Sequence, residues 1–180
     1  MPYTYDSSMT PALITEFEAA IYGWQQVANL KFIQRTSEAN YILVVNSGPG
    51  GPANSQVGMV GGTQTININT SYPQIDFSHE IGHAMGSLHE QSRSDRDTYI
   101  KINWENFKAS LGDPRTNVNF AIISNSINEG TYDYDSIMEY PPWDGNTART
   151  PGDPACSDPQ CTQIEPLQPY YANAGSPTLG

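Results

Sequence analysis

The sequence predicts an α+β domain, and three features carry that reading. Apolar residues recur at helical spacing between Thr10 and Leu30, short runs of strand character occupy residues 31–70, and a second helical segment follows them. In the first segment Thr10 suits an N-cap and Pro11 the first helical position, where its missing N–H costs nothing. Leu13, Phe17, Ile21, Trp24 and Val27 then form one apolar face, expected to lie on a sheet. The strand candidates are KFIQR (31–35), NYILVVNS (40–47), SQVGMV (55–60) and TQTININT (63–70), with YTY near the start as a possible first strand. SGPGGPAN (47–54) and the glycine pair 61–62 read as turns. The second helix has Pro73 in its approach and Gly86 as its natural end. Beyond it, NWENFKAS (103–110) reads as one more helix. Residues 141–180 hold 8 of the 14 prolines, so irregular structure is expected there.

Composition narrows the classes. A chain of 180 residues can bury a real core, and the length favours one domain, or one domain with two lobes. Hydrophobic residues make up 37% and aromatic residues 11%, which excludes a disordered polymer, and no apolar run approaches the ~20 residues of a spanning helix. Lys and Arg number 8 against 19 Asp and Glu; the formal net charge of -11 repels phosphate backbones and anionic lipid, so nucleic acid is not an expected partner, and without a spanning run no membrane partner is expected either. The opening MPYTYDSSMT has neither a basic start nor an apolar core, so the leader of a secreted protein is expected to have been removed from this chain. Cys156 and Cys161 can close a small loop as a disulfide, or one of them can serve as a thiolate ligand. Asn69–Ser71 is a glycosylation sequon beside a strand candidate.

All three histidines fall within SHEIGHAMGSLHEQSRSDRD (78–97). His79 and His83, four apart, share one helix face and can aim ring nitrogens at one point. Glu80 points about 100° around the helix from His79, where it can take a proton from water without being a ligand. His89 lies six residues past His83, so the helix must end between them, and Gly86 is placed to turn the chain. The set is the HExxHxxGxxH pattern of a catalytic zinc site: three imidazoles and an open fourth position. In YDYDSIMEY (132–140), Met138 stands where the long-motif zinc proteases carry a methionine turn.

Together these residues resemble the astacin family of metzincin peptidases. The resemblance rests on HExxHxxGxxHExxRxDRD, matched from His79 through Asp97 with Glu90, Arg93, Asp95 and Arg96 in place. It extends to PYTY near the start, RTSEANYI (35–42), INWEN (102–106) and YDYDSIM, and fades after about Tyr140. It implies a single catalytic domain over 1–180 with a two-lobed fold: an upper lobe over about 1–88, a twisted five-stranded mixed sheet with two long helices, a less regular lower lobe over about 89–180 with its Pro-rich part at 141–180, and a cleft between the lobes. It implies one Zn²⁺ held by His79, His83 and His89, Glu80 as general base and acid, and Met138 as the floor of the site. Tyr140 is implied as a weak extra ligand that swings to support the oxyanion, Glu90 as a supporting residue, and Ser55, Gln56, Val57, Gly58, Met59 and Val60 as the edge strand that receives substrate.

The function so implied is that of a secreted, monomeric zinc endopeptidase acting on proteins or peptides. The alternative is a catalytically silent peptide-binding or zymogen-like module of the same fold; such modules usually lose the Glu or a ligand, and this chain keeps both. It departs from the family in having two cysteines where four are usual, Glu139 where His is frequent, and a start a few residues inside the family's mature start.

Overall fold

The computed structural model describes residues 1–69, 73–107, 118–142 and 162–167, with the side chains of 73–76 left aside. The disulfide expectation for Cys156 and Cys161 falls outside the described residues, as do Thr70 and Ser71 of the sequon. The chain forms two compact units, Met1–Leu88 and His89–Gly180.

The first unit is a five-stranded mixed sheet with two helices. Its elements are β1 (Pro2–Tyr5), α1 (Pro11–Val27), β2 (Ile33–Gln34), β3 (Tyr41–Asn46), β4 (Asn54–Ser55), β5 (Thr63–Ile68) and α2 (Pro73–Met85). The strand order is β2-β1-β3-β5-β4, parallel except for the edge strand β4. Alternation sets the buried face: Ile42 and Val44 of β3, and Gln64, Ile66 and Ile68 of β5, turn inward. Phe17 of α1 and Phe77 of α2, both fully buried, meet edge to face at 5.4 Å between centroids.

Helix α1 starts as the sequence indicates, with the Thr10 hydroxyl accepting from the Leu13 amide at 3.3 Å and Pro11 in the first turn. It stops three residues before Leu30. Val27, assigned above to the buried face, is 79% exposed because the helix ends there, and Ala20 fills the core in its stead. Trp24 does face inward: its indole Nε1 donates to the Ser78 carbonyl at 3.0 Å and so ties α1 to α2 one residue before His79.

Three strand candidates shrink, and the fourth, NYILVVNS, loses only its end residues Asn40 and Ser47. KFIQR pairs only at Ile33–Gln34, and the edge strand is Asn54–Ser55 rather than Ser55–Val60. Past Ser55 the segment leaves the ladder because Gly58, at φ +72, bends it. The third is TQTININT, which ends at Ile68.

In the second unit β6 (Ile100–Ile102) pairs antiparallel with β7 (Ile164–Pro166) over a core of Ile100, Ile102, Phe107, Phe120, Tyr132 and Ile164. The helix expected over 103–110 reduces to one 3-10 turn, Trp104–Asn106, and residues 108–110 fall outside the described part. Asn103 and Asn106 both send side-chain amides to the Thr162 carbonyl, at 3.2 and 2.8 Å, and that long-range pairing competes with helix propagation.

Candidate metal centre

Helix α2 carries the first two histidines, and a tight cap sets the way to the third. At its end the Gly86 amide donates to the His83 carbonyl at 2.8 Å and the Ser87 amide to the Gly82 carbonyl at 3.0 Å, the reciprocal pair of a Schellman motif. Gly86 has φ +110, a conformation that side chains with a Cβ rarely adopt. Three residues on, His89 precedes the 3-10 turn Glu90–Ser92.

One ligand nitrogen from each of His79, His83 and His89 lies within 4.8 Å of the other two. The rings of His79 and His83 stand edge to face at 4.7 Å. The His83 Nδ1 sits 2.8 Å from the Ser87 carbonyl, and since a carbonyl only accepts, that nitrogen carries the proton and Nε2 keeps its lone pair. Burial lowers the pKa of His83, which also favours the neutral imidazole a metal needs. Three neutral imidazoles fit zinc, and this set can hold it. Glu80, at 4% exposure, is buried on the same helix.

The second unit frames His89. Its ring lies 4.5 Å from that of Tyr140, whose backbone amide donates to Gln91 Oε1 at 3.1 Å. The Glu90 amide donates to the carbonyl of Met138, a buried residue, at 3.0 Å. Glu90 Oε1 accepts from the Asp133 amide at 2.9 Å and from Arg93 Nη1 at 3.1 Å; burial nonetheless raises its pKa. Arg93 also forks onto both oxygens of Asp95, at 2.9 and 3.0 Å, and reaches the carbonyls of Glu129 and Gly130. Beside Met138, Glu139 is buried: its Oε2 accepts from the Tyr132 hydroxyl at 2.6 Å, and its Oε1 meets no donor among the described residues. Burial is the main cause that pushes the Glu139 carboxyl up to about 8.

The expected edge segment touches the zinc helix through its backbone. The Gly58 amide donates to the His83 carbonyl at 2.8 Å, and Gln64 Nε2 donates to the Gly58 carbonyl at 3.1 Å. A Cβ added at Gly58 would come 3.9 Å from the Gly86 Cα, and Met59 and Val60 stand out at 79% and 57% exposure.

A family model described as Astacin (Peptidase family M12A) matches residues 1–151. The chain belongs to the astacin family. Among relatives of this astacin, zinc metalloproteinase nas-31 of Caenorhabditis elegans is 34% identical over 185 residues, taking in 99% of this chain and 27% of that protein. High choriolytic enzyme 1 of Oryzias latipes is 35% identical over 143 residues, covering 78% of this chain and 50% of that protein. The solved structure of that second relative, a hatching enzyme zinc-protease, superposes with a TM-score of 0.77 at 28% identity, over all of this chain and 82% of that one. The structure of myroilysin shares the fold, with a TM-score of 0.54 at 20% identity over 78% of this chain and 76% of that one. This astacin spans about half or less of the length of these two curated relatives.

Sequence reasoning missed Gln91, the holder of the Tyr140 backbone, and the Tyr132–Glu139 pair. A glutamine directly after HE carries no spacing signal, and Tyr132 finds its partner seven residues on through burial.

Proposed function

We propose that this astacin is a zinc-dependent endopeptidase of protein or peptide substrates. The observation that supports the reading best is the convergence of three imidazole nitrogens within 4.8 Å, one of them stripped to its Nε2 lone pair by the Ser87 carbonyl. Zinc, when bound, supplies Lewis acidity toward the scissile carbonyl and lowers the pKa of water to roughly 7. The Glu80 carboxylate takes a proton from the attacking water and passes it to the leaving amine. Tyr140, a weak further ligand at rest, turns its hydroxyl toward the developing oxyanion and donates a hydrogen bond to it. Met138 floors the site, and Glu90 steadies the turn after His89 through Arg93 and the Asp133 amide. Of the expected edge segment, Ser55 lies in the edge strand β4 and offers its edge to an extended peptide, while Gln56–Val60 lie beyond the ladder. On this reading the chain is one catalytic domain, secreted and monomeric, with no nucleic acid or membrane partner. Its net charge of -11 supports the last point, and no helix among the described residues is long and apolar enough to cross a membrane.

Cleavage of an unfolded protein by the wild-type chain and by Glu80→Gln, with zinc quantified in both, tests the reading. Turnover is expected in the wild type and at least about 10²–10⁴-fold less in the variant, with zinc near one per chain in each. Zinc in both without turnover in either would favour the silent-module alternative.

A further inference from the structure

The second unit holds a cavity that the histidine site does not use. Arg96, Lys101, Trp104 and Leu167 line an open hollow of about 310 Å³, with Asp97 at its rim. That volume lies at the lower end of the range for small-ligand pockets and suits one amino-acid residue better than a long segment.

The Arg96 guanidinium is the group that sets its chemistry. The residue is 5% exposed; its Nη1 donates to the carbonyls of Gln91 (2.8 Å) and Phe120, and its Nε to Asp97 Oδ1 (3.1 Å). Among the described residues Nη2 meets no acceptor. A guanidinium carries its charge at any physiological pH, and a charged donor at a cavity wall calls for an acceptor. Asp97 does not supply it, since its carboxylate is tied to Nε and its side chain is 71% exposed, and the buried Glu139 carboxyl, which feels the Arg96 charge, hydrogen-bonds Tyr132 instead. Lys101 adds a second cation at 55% exposure, 3.6 Å from Glu165 Oε2, a separation too long for a firm hydrogen bond. The remaining wall is apolar: the Trp104 ring has its centroid 5.8 Å from the Arg96 guanidinium carbon, and Leu167 is 48% exposed.

We propose that this cavity binds a peptide carboxylate carried on an apolar body, the two oxygens shared between Arg96 Nη2 and Lys101 Nζ and the body lying on Trp104 and Leu167. Two donor groups match the two oxygens of a carboxylate. A phosphate, with more charge and more acceptors, is disfavoured by Asp97, Glu165 and the net charge of -11. The carboxylate can be the free end of a chain or an acidic side chain. The site is independent of the zinc reading.

The test follows the indole N–H resonance of Trp104, assigned with Trp104→Phe, in the zinc-loaded chain. Three probes are titrated: N-acetyl-leucine, the neutral N-acetyl-leucinamide, and N-acetylglutamic acid amidated at its main-chain carboxyl. N-acetyl-leucine is expected to shift the resonance saturably, with affinity falling as salt rises; the neutral amide, and N-acetyl-leucine on Lys101→Glu, should bind about tenfold more weakly or less. Lys101→Met, which removes charge without adding one, should fall between. These variants leave Arg96 and its two carbonyl partners in place, so the melting temperature should stay at the wild-type value. A response to the acidic side chain as strong as to the chain end assigns the site to side-chain carboxylates; a response to N-acetyl-leucine alone assigns it to chain ends. Equal affinity for acid and amide, an unchanged affinity in Lys101→Glu, or no shift at Trp104 would overturn the proposal.

Discussion

At the scale of single residues, Tyr140 and Glu139 are neighbours in different settings. Tyr140 is half-buried, its ring beside those of His89 and Phe120 and its backbone amide held by Gln91. Tyr140→Phe should lower kcat by about 10–10³-fold with KM and zinc content little changed, as expected for a donor used only in the transition state. Glu139 is held. Its carboxyl titrates near 8 in the folded chain against about 4.5 for an ordinary glutamate, so the native state keeps a proton that the unfolded chain releases. The stabilisation is intact below about 4.5 and is lost as pH rises through 8, at about 1.4 kcal/mol per pH unit at most. Thermal midpoints from pH 5 to 9 should therefore fall further in the wild type than in Glu139→Gln. The histidines were legible because two ligands on one helix need a fixed spacing. Gln91, Tyr132 and Glu139 were not, because their roles come from burial and from partners that the spacing does not mark.

Elements show where local rules held. The N-cap of α1 and the glycine stop of α2 were readable because each acts within one turn of chain. Gly86→Ala should destabilise by about 1–2 kcal/mol and loosen zinc, since φ +110 strains any Cβ-bearing residue and the cap fixes the way to His89. Equilibrium denaturation and competition with a chelator measure the two effects. The rules failed where distant partners decide. Asn103 and Asn106 bond to the Thr162 carbonyl instead of extending a helix, and β7, the partner of β6, is an Ile-Glu-Pro stretch in a proline-rich tail. The edge strand was placed in the right region but given too many residues, because an exposed run of Val, Met and Val looks like pairing when a glycine has bent it away.

For the molecule as a whole, metal and fold are linked. Zinc bound by the native chain alone stabilises it by about 4 kcal/mol when free zinc is 1,000 times its Kd, so chelation should lower the melting temperature and added zinc should restore it. His79→Ala should abolish that response. The net charge of -11 should make acidic substrates poorer than neutral ones of the same cleavage sequence, with the gap narrowing as salt rises; kcat/KM against ionic strength measures it.

The carbonyl of His83 receives two amides, Gly86 from the cap of its own helix and Gly58 from the segment beyond β4. Hydrogen exchange should therefore divide a stretch that looks uniformly loose. The Gly58 amide will exchange as slowly as the end of α2, only when that helix opens, while the amides of Met59 and Val60 exchange at the rate of an open loop. Stripping the zinc should quicken Gly58 and leave its two neighbours as they were.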